Sequence, residues 1–208
     1  MPNPITSRTT SILGTYQLAT EPERLKGKYW YSQAHKAALD ISGPFACGVI
    51  TSAGVIAALS PHNKYERNLL DAQRLLDTFK TLGAHAAAQI RVGTFDTNKA
   101  KALALLKMQS PTVGDVVTVL NGLKLIAFYR CILGDSQAVC VDGHAYSIWV
   151  GERITTSKTP KISPRLYAQI TADYTKAAQL ISTAHNTIIQ PSELQAITWL
   201  AHKRLSGR

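Results

Sequence analysis

The chain has 208 residues, 45% of them hydrophobic, and a formal net charge of +10 from 23 Lys plus Arg against 13 Asp plus Glu. That length suits one compact unit or two small lobes sharing a core, and the apolar content excludes a disordered tail. No apolar run is long enough to span a bilayer, and the polar stretch Met1 to Thr10 has no signal-peptide core, so the expected compartment is cytoplasmic.

Apolar spacing of three and four recurs along the chain, and strand signals are scarce. The spacing predicts a helix over 22–40, ended by Ile41-Ser42-Gly43-Pro44. Residues 45–59 are small and apolar throughout, which predicts a helix packed tightly within the core. Ser60-Pro61-His62-Asn63 opens a helix over 64–82, with Leu69, Ala72, Leu75, Leu76 and Phe79 as its stripe. Gly83 and Gly93 bracket a short helix, and Asp96-Thr97-Asn98 caps another over 99–107.

Two helices, 112–120 and 124–133, are joined by Asn121-Gly122-Leu123, a helix-hairpin-helix in outline. Gly134-Asp135-Ser136 reads as a turn, and Val139 to Val141 as a buried connector. Asp142 opens a helical stretch over 144–154, and the basic, proline-containing segment 155–164 reads as a surface loop. Helices over 163–182 and 192–205 close the chain, the last with Ser192 and Gln195 at capping-box spacing.

Charge alone fits a folded surface facing a phosphate backbone, but ribosomal, membrane-surface and merely basic proteins share it. Cys47, Cys131 and Cys140 lie among apolar neighbours without a C-x-x-C pair, which predicts buried reduced thiols. The six histidines show no metal spacing, and Trp30, Trp149 and Trp199 are expected in the core.

Four segments stand in a recognisable order: Leu59-Ser60-Pro61-His62, Gly93-Thr94-Phe95-Asp96-Thr97-Asn98-Lys99-Ala100, Leu120-Asn121-Gly122-Leu123-Lys124, and Val141-Asp142-Gly143-His144. Together they resemble the Leu-Ser-x-Gln, Gly-x-Tyr-x-x-x-Lys-Ala, Leu-Pro-Gly-Val-Gly-x-Lys and Val-Asp-Thr-His segments of the helix-hairpin-helix DNA glycosylase superfamily, the endonuclease III-like group. The resemblance runs from Ala53 to His144 and includes the separation of Lys124 from Asp142. It departs at the hairpin, where Leu120 replaces the first glycine and the proline is absent. No cysteine follows Cys140, so the four-cysteine cluster site of many relatives is missing and no iron–sulfur cluster is expected.

The resemblance implies an all-α, two-lobed fold: a helical barrel lobe over 48–135, and a discontinuous second lobe from 1–47 and 136–208. It implies a DNA glycosylase that cleaves the N-glycosidic bond of a damaged or modified base. Asp142 would stabilise the oxocarbenium character that builds on the sugar and orient the nucleophile. Lys124 would attack C1′ as an amine and give abasic-site lyase activity, or would contact phosphate. Asn121, Gly122 and Leu123 would hold a DNA phosphate, His62 would help fill the gap left by a flipped base, and Asn63, Lys64 and Lys99 would join the DNA-binding surface. The implied partner is duplex DNA, bound by a monomer without cofactor or metal.

Local readings stand beside these. Asp142 also suits a helix N-cap, and His144 a structural histidine at a helix start. Lys64, Arg67, Lys99, Lys158 and Lys161 suit solvated surface as well as a phosphate track. Two further functions fit the same scaffold. One is group transfer onto an activated base, as in bacteriophage enzymes of thymine hypermodification that resemble this superfamily. The other is non-catalytic DNA binding.

Overall fold

The computed structural model describes residues 7–43, 48–155 and 158–207, and among these it contains eleven α-helices and no strand. The protein is therefore all-α. Among the described residues no helix is long and apolar enough to cross a membrane. The chain divides into two compact units, Ser32–Leu133 and a discontinuous one from Met1–Tyr31 with Gly134–Arg208. Residues 32–43 thus group with the central unit, whereas the sequence reading assigned 1–47 to the other lobe.

The discontinuous unit begins with α1 (Ser7–Gln17) and α2 (Glu21–Lys28). Thr20 and Glu23 form the capping box that starts α2: the Glu23 carboxylate accepts from the Thr20 N–H at 2.8 Å. The single helix expected over 22–40 is two, because α2 stops at Tyr29, whose N–H turns back to Leu25 and Gly27 carbonyls. The next helix, α3, spans Trp30–Ser42.

The central unit is built on α4 (Gly48–Leu59), which is buried without a break from Thr51 to Leu59. Around it lie α5 (Tyr65–Gln89), α6 (Asp96–Leu106), α7 (Val113–Leu120) and α8 (Leu123–Ile132). The small residues of α4 allow this enclosure. A Cβ on Gly54 would sit 2.8 Å from Val116 Cγ1 and 2.9 Å from Leu105 Cδ1, so α6 and α7 approach as closely as a bare backbone permits. The two helices expected over 64–82 and 83–93 run together as α5, interrupted where Gly83 adopts φ 82° and ψ 176°. Helix α6 starts three residues early, at Asp96, with Phe95 as its N-cap. Buried Asn68 donates from Nδ2 to the Ile56 carbonyl at 2.9 Å and ties α5 to α4.

The discontinuous unit continues with α9 (Gly143–Val150), α10 (Pro164–His185) and α11 (Pro191–Leu205). Its core joins Ile12 and Tyr16 of α1 to Ile148 and Trp149 of α9, Ile170 and Tyr174 of α10, and Leu194 and Ile197 of α11. Helix α9 ends at Gly151, in left-handed conformation, rather than reaching residue 154. The cap of α11 lies upstream of Ser192 and Gln195, which are buried: Glu193 accepts from the Gln190 N–H at 2.9 Å. Trp149 is buried, whereas Trp30 and Trp199 are only partly so. Cys131 and Cys140 are buried free thiols, and Cys47 lies outside the described residues.

Candidate functional site

Two groups of predicted residues lie in the central unit. The first is organised by Asp71 of α5, which is fully buried yet charged. Its carboxylate accepts from Arg67 Nε at 2.9 Å, Asn63 Nδ2 at 3.1 Å and the Gly93 N–H at 2.7 Å. Burial pushes this carboxyl up, but the bonds from Arg67, Gly93 and Asn63 outweigh it and hold Asp71 below the usual carboxylate range. The carboxylate thereby fastens the 60–63 turn to the segment that precedes α6. A Cβ on Gly93 would stand 2.5 Å from Asn63 Oδ1, so a side chain there would displace the Asn63 amide.

The same clamp presents His62. It has a left-handed backbone, φ 57°, and its ring meets Phe95 edge-on at 5.0 Å between centroids. Both side chains face solvent, Phe95 being 59% exposed. Lys64 is exposed beside them as the N-cap residue of α5. Asn63, by contrast, spends its amide on Asp71. Lys99 is turned inward: Nζ donates to the Ala88 and Ile90 carbonyls at 3.0 and 3.3 Å and pairs with Asp96 at 3.4 Å, leaving 17% of the side chain exposed. It neutralises the carbonyl end of α5, a structural task that competes with any phosphate contact.

The second group is the hairpin. Thr112 and Asp115 start α7 with a capping box. Asn121 ends it in left-handed conformation, φ 43° and ψ 51°, a state that asparagine tolerates better than most residues. Gly122 is extended and serves as N-cap of α8, which has no side-chain cap and no acidic residue in its first turn. Leu123 and Lys124 are the first two residues of α8, Leu123 exposed and Lys124 partly so. Lys124 adds a positive charge to the end of the helix where the dipole already favours an anion. Lys101 of α6 holds the other side of the turn, donating from Nζ to the Leu120 carbonyl at 2.5 Å.

Asp142 lies in the discontinuous unit. The connector before it, Val139 to Val141, is buried and belongs to no helix or strand. One side chain bonds its backbone twice: Tyr167 Oη donates to the Val139 carbonyl at 2.8 Å and accepts from the Val141 N–H at 3.1 Å. Asp142 then caps α9, with Oδ1 accepting from the Ala145 N–H at 2.8 Å. That bond uses Oδ1 and leaves Oδ2 outside the cap. Beneath it, Tyr174 is fully buried, and its phenol lies 3.4 Å from Thr198 Oγ1. Burial pushes that phenol far up, the Thr198 bond opposes, and the Asp142 charge adds to the rise. Tyr174 is therefore a neutral neighbour of the Asp142 carboxylate. His144, in the first turn of α9, faces His202 of α11.

Asn121, Gly122, Leu123 and Lys124 thus form one turn, and His62 joins Phe95 on another. Asp71, Lys101, Tyr167, Tyr174 and His202 are the residues that sequence reasoning missed. Only Asp71 left a local trace, the i, i+4 spacing from Arg67; the others act on residues distant in sequence. Among the described residues no group of three or more His, Cys, Asp or Glu is placed to hold a metal ion.

The chain belongs to a family described only as a family of unknown function, DUF7178, whose model matches residues 2–206. No curated protein and no solved structure matches the chain.

Proposed function

We propose that this protein is a two-lobed helix-hairpin-helix DNA glycosylase, cleaving the N-glycosidic bond of a damaged or modified base. The observation that carries the reading is Asp142. It is a carboxylate held at a helix start by a buried, Tyr167-pinned connector, eighteen positions after a lysine in the first turn of a hairpin helix. Breakage of the bond from C1′ to the base leaves positive charge on the sugar. A carboxylate with Oδ2 outside its cap is suited to stabilise that charge and to orient the attacking water. Where Lys124 supplies the nucleophile instead, its amine forms a Schiff base with the sugar and the strand becomes cleavable.

The uncapped N-terminus of α8, with Lys124 beside it, supports phosphate binding at Asn121, Gly122 and Leu123. The exposed His62–Phe95 pair supports a contact with unstacked bases. On this reading the partner is duplex DNA carrying a flipped base, and the enzyme works in the cytoplasm as a monomer.

The test uses purified protein and duplexes carrying a panel of damaged and modified bases, with borohydride trapping of covalent adducts. Base release by the wild-type protein and its loss in Asp142→Asn are expected; base release undiminished in that variant refutes the assignment. A trapped adduct that persists in Lys124→Ala refutes the amine role alone. The Oδ1 bond to Ala145 favours a second reading, a DNA-binding scaffold in which Asp142 is only a cap. That reading expects salt-sensitive duplex binding that survives loss of both residues, with no product from any lesion.

A further inference from the structure

The two histidines beside Asp142 are joined nitrogen to nitrogen. His144 Nδ1, in the first turn of α9, lies 3.0 Å from His202 Nδ1, in the last turn of α11. The rings meet at 79° with centroids 5.1 Å apart. Trp199 closes one side, edge-on to His144 at 6.2 Å, and carries the Lys203 ammonium 4.3 Å above its own ring. Both histidines are partly buried.

Two Nδ1 atoms at that separation require a single hydrogen between them: one ring donates and the other accepts through a bare nitrogen. The contact exists when both rings are neutral, and also when one is an imidazolium. It cannot exist when both are, because two N–H groups and two positive charges then face each other. We propose that His144 and His202 are positioning residues, a one-proton clasp that fixes the first turn of α9, and Asp142 with it, against α11. The clasp opens when the second proton binds.

The surrounding charges bear on where that second step falls. On the α11 side Lys203 opposes further positive charge, while the carbonyl end of the helix favours it at His202. On the α9 side the Asp142 carboxylate favours charge at His144, and the helix N-terminus opposes it. Of the other charges on the helices around the pair, four are held by partners of their own. Glu23 of α2 is bound by Arg204 at 2.8 Å, and Arg8 of α1 donates to the Val150 carbonyl at 2.6 Å, at the far end of α9. Asp173 of α10 accepts from Thr9 and Trp149, and Arg153 donates to the Ser206 carbonyl. The repulsion between two imidazolium rings held nitrogen to nitrogen acts beside these charges. It places the second protonation below the ordinary histidine range of about 6.5. A proton taken up more readily by the unfolded chain than by the folded one destabilises the fold as pH falls. The contribution of the clasp is thus present above that range and lost on acidification.

The clasp stands independently of the proposed reaction; only its consequence for Asp142 rests on that reading. Imidazole ¹⁵N resonances of the wild-type protein, followed from neutral to acid pH, provide the direct test. His144 and His202 are expected to titrate in two linked steps more than about one pH unit apart. Independent, ordinary titration of both rings overturns the proposal. His202→Asn replaces the bridging nitrogen with a non-titrating amide, and is expected to abolish the acid step in unfolding free energy; a step of wild-type size in the variant also overturns it. Where base release is measurable, wild-type kcat falls through the lower step and that of His202→Asn does not. If the protein releases no base, the reaction proposed for Asp142 fails while resonances and unfolding still decide the clasp.

Discussion

The Asp71 carboxylate accepts a 2.7 Å hydrogen bond from the Gly93 N–H, across 22 positions of sequence. This contact, with those from Asn63 and Arg67, sets where His62 and Phe95 stand. The exposed part of the candidate interface therefore depends on a fully buried charge.

Replacing Asp71 with Ala leaves the Gly93 N–H and the Asn63 amide without their acceptor, at an expected cost of about 2–4 kcal/mol. Chemical denaturation measures it. Because the folded-state pKa is lowered, the contribution is present above the unfolded carboxylate value of about 3.9 and disappears as pH falls through the lower folded value. The wild-type protein should lose this stability in strong acid, and Asp71→Asn should show a smaller acid dependence.

Gly54→Ala tests the closeness of α4 to its neighbours. The new methyl group would meet Val116 and Leu105 inside 3 Å, so one or both of these side chains must shift. Overpacking of this kind costs about 1–3 kcal/mol, read as a lowered denaturation midpoint with an unchanged slope.

Capping and chemistry at Asp142 separate by substitution. Asparagine retains an N-cap acceptor but no charge, so Asp142→Asn should unfold close to the wild-type midpoint. Asp142→Ala should lose about 1 kcal/mol more. If the carboxylate is needed for glycosidic cleavage, both lose base release equally. Activity that instead tracks the stability order marks Asp142 as a cap alone.

Two lysines should part company. Lys99→Met removes the ammonium from the Ala88 and Ile90 carbonyls, for a loss of about 1–2 kcal/mol in stability and little change in duplex affinity. Lys124→Ala should weaken duplex binding uniformly across sequences and reduce the salt slope by about 1. Titrations at several salt concentrations, paired with unfolding curves, distinguish these patterns.

Local chemistry was legible in the residues themselves. The helix-to-helix turn at Asn121-Gly122 follows from an asparagine that accepts left-handed backbone and a glycine that starts the next helix. The run from Thr51 to Leu59 reads as interior because its side chains are small or apolar and carry no charge, and Asp142 reads as a helix start because its carboxylate reaches a first-turn N–H. Lys99 could not be read in the same way. A lysine beside an aspartate looks solvated in sequence, and only the carbonyl end of α5, folded back upon it, turns it inward.

Sequence by itself determined the all-α class, most of the helix positions and the separation of Lys124 from Asp142, because periodicity, capping and turn chemistry act within a few residues. Tertiary structure alone decided that Asp71 holds the His62 turn, that Tyr167 pins the connector before Asp142, and that His144 meets His202. Each of these contacts joins residues that are distant in sequence or on different helices. Their existence depends on how whole helices pack, a global balance of burial and hydrogen bonding that no local window contains.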